Sequence, residues 1–479
     1  MVKQFEIKGD WFLPNNDNRV HGTLSFHPTK GAELELYGSL NEDPFFPQLK
    51  DEEIILGLSN ESQLITLTGC GMTHSGGAKL VQGQESGKPT TKYSVLYTLI
   101  GVHVERKEEL VFDTISSEIF NLGEWVGISG FEHQRPSPEA IKESKVTIEY
   151  KLPRPIEFKI DQSTKGTLNF VSNRPGWSRY QKSMEINQRV EFIAKSNENL
   201  SVNQLLEYLF SFQNFLILAL YNSTYPQSVT LTGDRFQVEY PDGKKYRTSV
   251  KLYFPIYNYQ ENEKPKSDFD LIFEYRGIKE DFELLIQNWY FKYEILEPAF
   301  DLLIEQFHRR NQFNVNTFLN LAQAAETFHA RTNNHTRIPR DEYKKMKEEI
   351  LKSSLPKYHT WLNDQFNFGN NLNLHKRLTE ILDKYSNEVL DVIINDKNEF
   401  VKLVKHSRNY YTHYSKDGKK RALKGSELFY LSEKLKLQLV CAFLMEIGFT
   451  KDQLSKSLDR VKWRLFNHLA DWRTEENKK

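Results

Sequence analysis

The residues best suited to chemistry lie in one short segment, Lys402 to His413, which reads KLVKHSRNYYTH. Within it, Arg408 precedes His413 by five positions. A histidine titrates near neutral pH, so it can take the proton of a ribose 2′-hydroxyl or return it. An arginine offers a planar, permanently charged fork that fits phosphate oxygens. The pair therefore has the chemistry to cleave RNA without a metal ion.

The spacing of apolar residues predicts a helix for this segment, with one face docked into a core: Phe400, Val404, Ser407 and Tyr411. Five residues rotate about 140° around a regular helix, so Arg408 and His413 do not share a face. Lys405, Asn409 and His413 do, because they are four residues apart. We expect Asn409 to orient the imidazole. The pair then needs a helix end near Thr412, or a second copy facing it across a dimer.

The chain is strongly basic around and beyond the motif. Residues 401–424 contain eight lysines and arginines and a single acid, Asp417. Basic side chains can follow a phosphate backbone, and exposed tyrosines can stack on bases. The predicted RNA contacts are Lys405, Tyr410, Tyr414, Lys416, Lys419, Lys420 and Arg421. An equally open alternative is that the basic run is a mobile, solvated loop.

The charge of the whole chain is also distributed unevenly, with the basic surplus in the C-terminal part. Its 64 basic and 64 acidic residues cancel, but residues 301–479 hold 32 basic against 23 acidic residues. Residues 1–300 then hold 32 against 41. A basic half is typical of nucleic-acid binding, although a surplus of nine can also be ordinary solvated surface.

Other features exclude several classes of protein. Two cysteines, Cys70 and Cys441, provide no disulfide framework and no cysteine-based zinc site. The polar start at Met1 predicts no signal peptide, and the most apolar run, Leu209–Tyr221, is too short for a membrane span. We therefore expect a cytoplasmic protein with no membrane partner.

Neither a cofactor nor a metal ion is expected. The glycine-rich run 69–77 lacks the helix and the Gly-Lys-Ser/Thr of a phosphate loop, which favours a flexible hairpin loop. His329 and His335 have no carboxylate partner at ligand spacing, which argues against a metal site.

The pattern of apolar and polar residues along the sequence predicts an α+β protein of several domains. Short alternating segments such as Leu64–Thr68 and Tyr93–Tyr97 indicate strands of a sandwich or barrel. After about residue 280 the period becomes helical. We predict a β-rich N-terminal region over 1–285, divisible into 1–160 and 161–285, followed by an all-α helical bundle over 286–479.

At this point the motif resembles the Arg-x4–6-His signature of the HEPN superfamily, and the chain is similar to ApeA-type proteins, which act in bacterial anti-phage defence by abortive infection. Seven segments carry the resemblance: Leu99–His103 (LIGVH), Leu122–Val126 (LGEWV), Phe212–Phe215 (FQNF), Gln287–Tyr290 (QNWY), Phe318–Glu326 (FLNLAQAAE), Arg408–His413 and Leu428–Gly448. It covers nearly the whole chain.

The resemblance implies a HEPN-like bundle that acts as a metal-independent endoribonuclease and leaves 2′,3′-cyclic phosphate ends. It implies Arg408 and His413 as catalytic residues, Asn409 and an acidic Glu326 as support, and a homodimer formed through the helical domain. Transfer RNA is the implied substrate, and the activity is implied to be restrained until phage infection. From the charge asymmetry we further expect the N-terminal region to sense a phage-derived protein or to hold the nuclease in check. The alternative is a non-catalytic sensor that binds nucleotide or RNA and carries a helical effector module.

Overall fold

The computed structural model describes residues 3–40, 51–76, 79–81, 84–86, 90–132, 142, 146–173, 180, 182–239, 243–309 and 313–463. It divides into two compact units. The β-rich unit comprises Met1–Asp268 and Glu274–Glu283. The helical unit comprises Phe269–Phe273 and Leu284–Lys479.

The β-rich unit contains these described strands: β1 (Phe5–Phe12), β2 (Val20–His27), β3 (Gly31–Leu36), β4 (Glu52–Ser59), β5 (Leu64–Gly76), β6 (Lys79–Val81), β7 (Gln84–Ser86), β8 (Thr90–Ile100), β9 (Val111–Ile119), β10 (Phe131–Glu132), β11 (Glu149–Tyr150), β12 (Ile156–Lys159), β13 (Thr164–Ser172), β14 (Gln188–Ser201), β15 (Pro226–Thr232), β16 (Gln237–Glu239), β17 (Lys245–Arg247) and β18 (Val250–Tyr253). The helices described in this unit are α1 (Leu122–Val126), α2 (Val202–Leu220) and α3 (Tyr275–Ile278).

Twelve of these strands form one antiparallel sheet in the order β12-β13-β14-β9-β15-β18-β8-β3-β2-β1-β4-β5. Strand β5 also pairs with β8, from Ile65 opposite Ile100 to Gly76 opposite Thr90, so the last six strands close into a barrel. Closure leaves these strands without a free edge. The prediction of a β-rich, barrel-like N-terminal region followed by helices is confirmed.

The barrel is filled by the inward side chains of alternating strands. In β2, every second residue from Val20 to Phe26 is buried. Trp11 is fully buried against Gly57 of β4, where a Cβ atom would overlap the indole ring. Glycine at position 57 therefore lets the bulkiest side chain of the core approach the backbone of the neighbouring strand.

The other strands of the sheet carry helix α2 on one face. The Ser201 side chain accepts a hydrogen bond from the backbone N–H of Gln204, and the backbone N–H of Ser201 donates one to Oε1 of Gln204, so the helix begins with a capping box. Phe212 stacks on Phe192 of β14 with ring centroids 4.1 Å apart. The apolar run after Leu209 is thus a buried helix, as predicted.

The glycine-rich run 69–77 is a strand where it is described, so the prediction of a flexible loop there was wrong. Residues 69–76 belong to β5, the strand that closes the barrel against β8. Gly69 has φ +62°, and a Cβ atom at this position would lie 2.9 Å from Cβ of Leu96. Glycine thus permits a left-handed backbone conformation within a paired strand, and a glycine-rich sequence does not separate such a strand from a loop. Gly77 lies outside the described residues.

The described helices of the second unit are α4 (Phe282–His308, whose first two residues belong to the β-rich unit), α5 (Val315–Thr332), α6 (Arg340–Ser353), α7 (His359–Gly369), α8 (Leu374–Tyr385), α9 (Glu388–Ile394), α10 (Lys397–His413), α11 (Gly425–Glu446) and α12 (Lys451–Val461). Helices α5, α8, α10 and α11 each contact the other three. Helix α11 is the central one and buries most of its residues between Leu428 and Leu444. It stops before Gly448, whose φ is +121°.

Within the described part of the chain, no helix is long and apolar enough to cross a membrane.

Candidate active site

Helix α10 carries the motif. Asp396 caps its first turn by accepting a hydrogen bond of 2.9 Å from the backbone N–H of Glu399. Phe400, Val404 and Ser407 are buried, as their spacing predicts. Tyr411 is half-buried and donates its hydroxyl to the carbonyl of Leu423, so it anchors the chain beyond the helix rather than filling the core.

The helix is regular up to His413 and ends there. Tyr414 follows in the left-handed conformation, with φ 49° and ψ 34°. The sequence left open a helix end near Thr412 or a second copy of the chain. The first of these is present, because the helix ends just past Thr412. Arg408 and His413 nevertheless lie about 140° apart around the helix axis, because every residue between them is helical.

Arg408 is held by an acidic residue of another helix. Its Nη2 lies 3.2 Å from Oε2 of Glu326 in α5, and the two side chains are 32% and 27% exposed. A pair with this much solvent contact contributes at most about 1 kcal/mol to stability. Its main effect is positional, since it directs the guanidinium toward one face of α10.

That face opens into a cleft of about 690 Å³. Lys405, Arg408 and Asn409 line it from α10, and Glu326 lines it from α5. Arg331 and Arg377 also line the cleft, and the sequence analysis did not single out either of them. Four cations therefore surround one carboxylate in an open cleft, which suits a phosphate group.

Arg377 of α8 is the more informative of the two. Its Nη1 donates to the carbonyl oxygen of Glu326, and its Nε donates to the carbonyl oxygen of Leu372, both at 2.9 Å. Among the described residues, no carboxylate forms an ion pair with it, so its guanidinium is held by backbone carbonyls alone. A sequence signal did exist: Arg377 adjoins the apolar stripe of Leu374 and Leu378, which fixes it at the rim of a docked face.

His413 lies outside this lining. It is exposed at the last turn of α10, and no described residue forms a hydrogen bond with it. Asn409, one turn earlier on the same face, lines the cleft. The structure thus brings together Lys405, Arg408, Asn409 and Glu326 within one chain, and leaves His413 at the end of the same stripe.

The predicted RNA contacts beyond the motif are at the surface. Lys416, Lys419, Lys420 and Arg421 are all exposed in the segment between α10 and α11, which includes a short 3-10 helix at Gly418–Lys420. Tyr414 is 66% exposed, whereas Tyr410 is half-buried with its ring centroid 5.5 Å from that of Tyr414.

His406 lies close enough to this basic segment for the charge of Arg421 to affect it. Burial and the nearby positive charges of Arg421 and Lys405 lower its pKa. The imidazole is therefore neutral at pH 7, so it does not add to the positive charge around the cleft.

His329 and His335 do have a carboxylate partner, so that part of the sequence argument was wrong. Glu380 of α8 places its Oε2 2.8 Å from Nε2 of His329 and 3.0 Å from Nδ1 of His335. Burial lowers the pKa of His329 despite the opposing effect of Glu380. Burial alone would raise the pKa of Glu380, but hydrogen bonds from His335 and His329 lower it. Glu380 lies 51 positions after His329 and 45 after His335 in the chain, so a search for ligands at short sequence spacing could not find it.

Comparison with known families accounts for most of the chain. Residues 6–289 match the family described as ApeA N-terminal domain 1, and residues 319–453 match the Apea-like HEPN family. The second match includes Glu326, Arg377, Arg408 and His413. No curated protein and no solved structure matches the chain.

Proposed function

Because this chain belongs to the ApeA family, with an Apea-like HEPN domain that places it among anti-phage nucleases, we propose that it is a metal-independent endoribonuclease. Arg408 and His413 are its catalytic residues, with Asn409 and Glu326 in support. We further propose transfer RNA as its substrate and abortive infection as the outcome of its activity.

One observation carries the proposal. Arg408 is directed by Glu326 into a basic, open cleft that Lys405 and Asn409 also line. A phosphate in this cleft would exchange one carboxylate contact for contacts with several cations. The arrangement supports phosphate binding at the residue that the motif identifies as the phosphate holder.

The chemistry requires one proton to be removed and one to be delivered. His413 takes the proton from the ribose 2′-hydroxyl, and the 2′-oxygen attacks phosphorus while Arg408 holds the charged phosphate oxygens. The bond from phosphorus to the 5′-oxygen then breaks, that oxygen takes a proton from water, and His413 releases to the solvent the proton that it accepted. The products are a 2′,3′-cyclic phosphate and a 5′-hydroxyl.

We propose that a second copy of the chain completes the site. His413 lies on the stripe of Asn409 but outside the lining of the cleft. If two helical units meet along this stripe, His413 of one copy faces Arg408 of the other. The exposed run from Lys416 to Arg421 then extends the positive surface along which an RNA backbone can lie.

The test uses full-length protein, transfer RNA and EDTA. Wild type should release fragments with cyclic phosphate ends, whereas Arg408→Ala and His413→Ala should lower the rate at least about 100-fold, the scale of general acid–base catalysis. Arg309→Ala is a matched control, because Arg309 pairs with Glu305 in a similarly exposed ion pair. His21→Ala controls for loss of an exposed histidine. Cleavage that stops in EDTA, or that survives both motif variants, contradicts the proposal.

The position of His413 also favours a second candidate, a protein that binds RNA or nucleotide without cutting it. A single chain presents phosphate-binding groups in the cleft without the histidine. This alternative predicts salt-sensitive RNA binding, no cleavage products, and identical behaviour of wild type and His413→Ala.

We propose that the β-rich unit restrains the nuclease until it senses a phage-derived protein in the cytoplasm. The support is the charge asymmetry, because the first 300 residues carry a surplus of acids and the rest a surplus of bases. Growth arrest after infection should then require His413. Equal arrest in uninfected cells would contradict restraint.

A further inference from the structure

A second cluster of chemically capable side chains lies in the helical unit, apart from the motif. It consists of His329 in α5, His335 in the segment after α5, and Glu380 in α8. One ligand atom of each residue lies within 4.8 Å of those of the other two. We infer that these three residues form a binding site for a divalent transition metal of the zinc class.

The two distances from Glu380 to the histidines are close to those that such an ion requires. Zinc binds histidine nitrogen and carboxylate oxygen at about 2.0–2.2 Å, so neighbouring ligand atoms of a tetrahedral site lie about 3.3 Å apart. The two nitrogen-to-oxygen distances here are 2.8 and 3.0 Å. Insertion of a metal would therefore move these atoms apart by a few tenths of an ångström.

The type of donor selects the metal. Two imidazole nitrogens and a single carboxylate suit zinc and other late first-row ions, whereas calcium and magnesium prefer a shell made of oxygens. Lys376 lies 3.7 Å from the other carboxylate oxygen, Oε1, and Arg377 is close enough to lower the pKa of His329 electrostatically. These cations oppose a purely electrostatic site, so the binding must come from coordination by the imidazoles.

The site is anchored on one side and open on the other. The side chain of His329 is 3% exposed, that of Glu380 is 22% exposed, and that of His335 is 64% exposed. His335 and Glu380 line a separate cleft of about 590 Å³. Water from this cleft can supply the fourth ligand, which leaves three protein ligands and one exchangeable position.

A metal here would act on the wall of the candidate active site. His329 lies one helical turn after Glu326 in α5, and Glu380 lies one turn after Arg377 in α8. The two clefts also share Leu372 and Asn373. By joining α5 to α8, the ion would hold Glu326 and Arg377 in fixed relation. The role is positional, and it is independent of the metal-free cleavage step.

The test is metal binding by the full-length protein after treatment with a chelator and dialysis. Titration with zinc chloride should show one ion per chain and a rise in Tm, and cobalt should give the visible absorption of a tetrahedral site. His335→Ala removes an exposed ligand without disturbing the core, so it should keep the fold. It should weaken zinc binding by more than about 100-fold, the upper end for loss of an outer-shell partner.

Two further variants make the result decisive. Glu380→Gln keeps the size of the side chain and should also abolish the cobalt spectrum. His21→Ala removes a histidine of the β-rich unit that pairs with Asp10, and this variant should bind zinc as wild type does. The inference fails if wild type binds no zinc stoichiometrically, or if His335→Ala and His21→Ala bind it equally. Neither readout depends on whether the protein cleaves RNA.

Discussion

The guanidinium of Arg408 lies 3.2 Å from the carboxylate of Glu326, although 82 positions separate the two residues in the chain. The contact crosses from α10 to α5 and gives Arg408 a defined direction before any RNA arrives. It also places a negative charge where a phosphate would bind. An incoming phosphate must therefore compete with Glu326 for the same donor group.

Glu326→Gln should separate binding from catalysis. The amide keeps the shape but removes the competing charge, so RNA affinity should hold or rise while cleavage falls, because Arg408 is less well directed. A misplacement of a catalytic group by about 1 Å can lower the rate on the order of 100-fold, which sets the upper end of the expected loss. Fluorescence anisotropy measures the affinity, and single-turnover cleavage measures the rate. Glu305→Gln alters the matched surface pair and should change neither. Equal losses of affinity and rate would contradict this role.

Mixed dimers should reveal whether the site is shared between chains. In a heterodimer of Arg408→Ala and His413→Ala chains, one of the two composite sites retains both residues. Random pairing of the two variants should then restore about a quarter of wild-type cleavage. Each variant alone should remain inactive. If the site lies within a single chain, mixing restores nothing.

The exposed lysines after the motif should contribute to affinity through phosphate contacts. The logarithm of the RNA association constant falls linearly with the logarithm of the salt concentration. In the double variant Lys419→Ala, Lys420→Ala, this slope should become shallower by about 1.4, because each lost contact to a single strand removes about 0.7. Lys344→Ala, Lys345→Ala is the matched control, since both lysines are exposed on α6. A slope that falls equally in both double variants would point to general charge rather than to this segment.

The barrel should be sensitive to a single methyl group at position 57. Gly57→Ala places a Cβ atom against Trp11, which is fully buried, so it should lower the free energy of unfolding by about 1–3 kcal/mol. Gly123→Ala adds a methyl group in α1, where no atom beyond its chain neighbours and the backbone of its own helix lies within 4 Å. It should be neutral or stabilising. Urea unfolding followed by tryptophan fluorescence measures both changes.

Glu446 should make the helical unit sensitive to acid. Burial opposes its ionisation, but hydrogen bonds from Lys292, Tyr385 and Lys384 lower its pKa to about 2. A carboxyl whose pKa is depressed on folding stabilises the fold above its unfolded pKa, near 4.5, and loses that contribution as the pH falls toward 2. The contribution at pH 7 is on the order of 3 kcal/mol.

Glu446→Gln should therefore be less stable than wild type at pH 7, and the gap should close between about pH 4.5 and 2. Thermal unfolding across this range, followed by circular dichroism, measures the gap. A gap that does not depend on pH would mean that packing, rather than ionisation, accounts for the loss.

Local regularities of the sequence predicted much of the fold. The stripe of Phe400, Val404 and Ser407 indicated which face of α10 is docked, and Ser201 and Gly448 marked a helix start and a helix stop. Such features depend on neighbours within about one helical turn, so they can be read without knowing the rest of the chain. Strand alternation likewise indicated a barrel or a sandwich, while the choice between them depended on β5 pairing with β8.

The sequence by itself determined the chemical identity of the motif and the helix that carries it: Arg408, Asn409 and His413 with their fixed angular relation. Only the tertiary structure decided what surrounds them. Glu326 opposite Arg408, Arg377 at the rim of the cleft, and Glu380 between two histidines come from helices brought together by packing. The physical reason is that backbone geometry acts over a few residues, whereas contacts across tens of residues are fixed by burial of apolar faces that many sequences share.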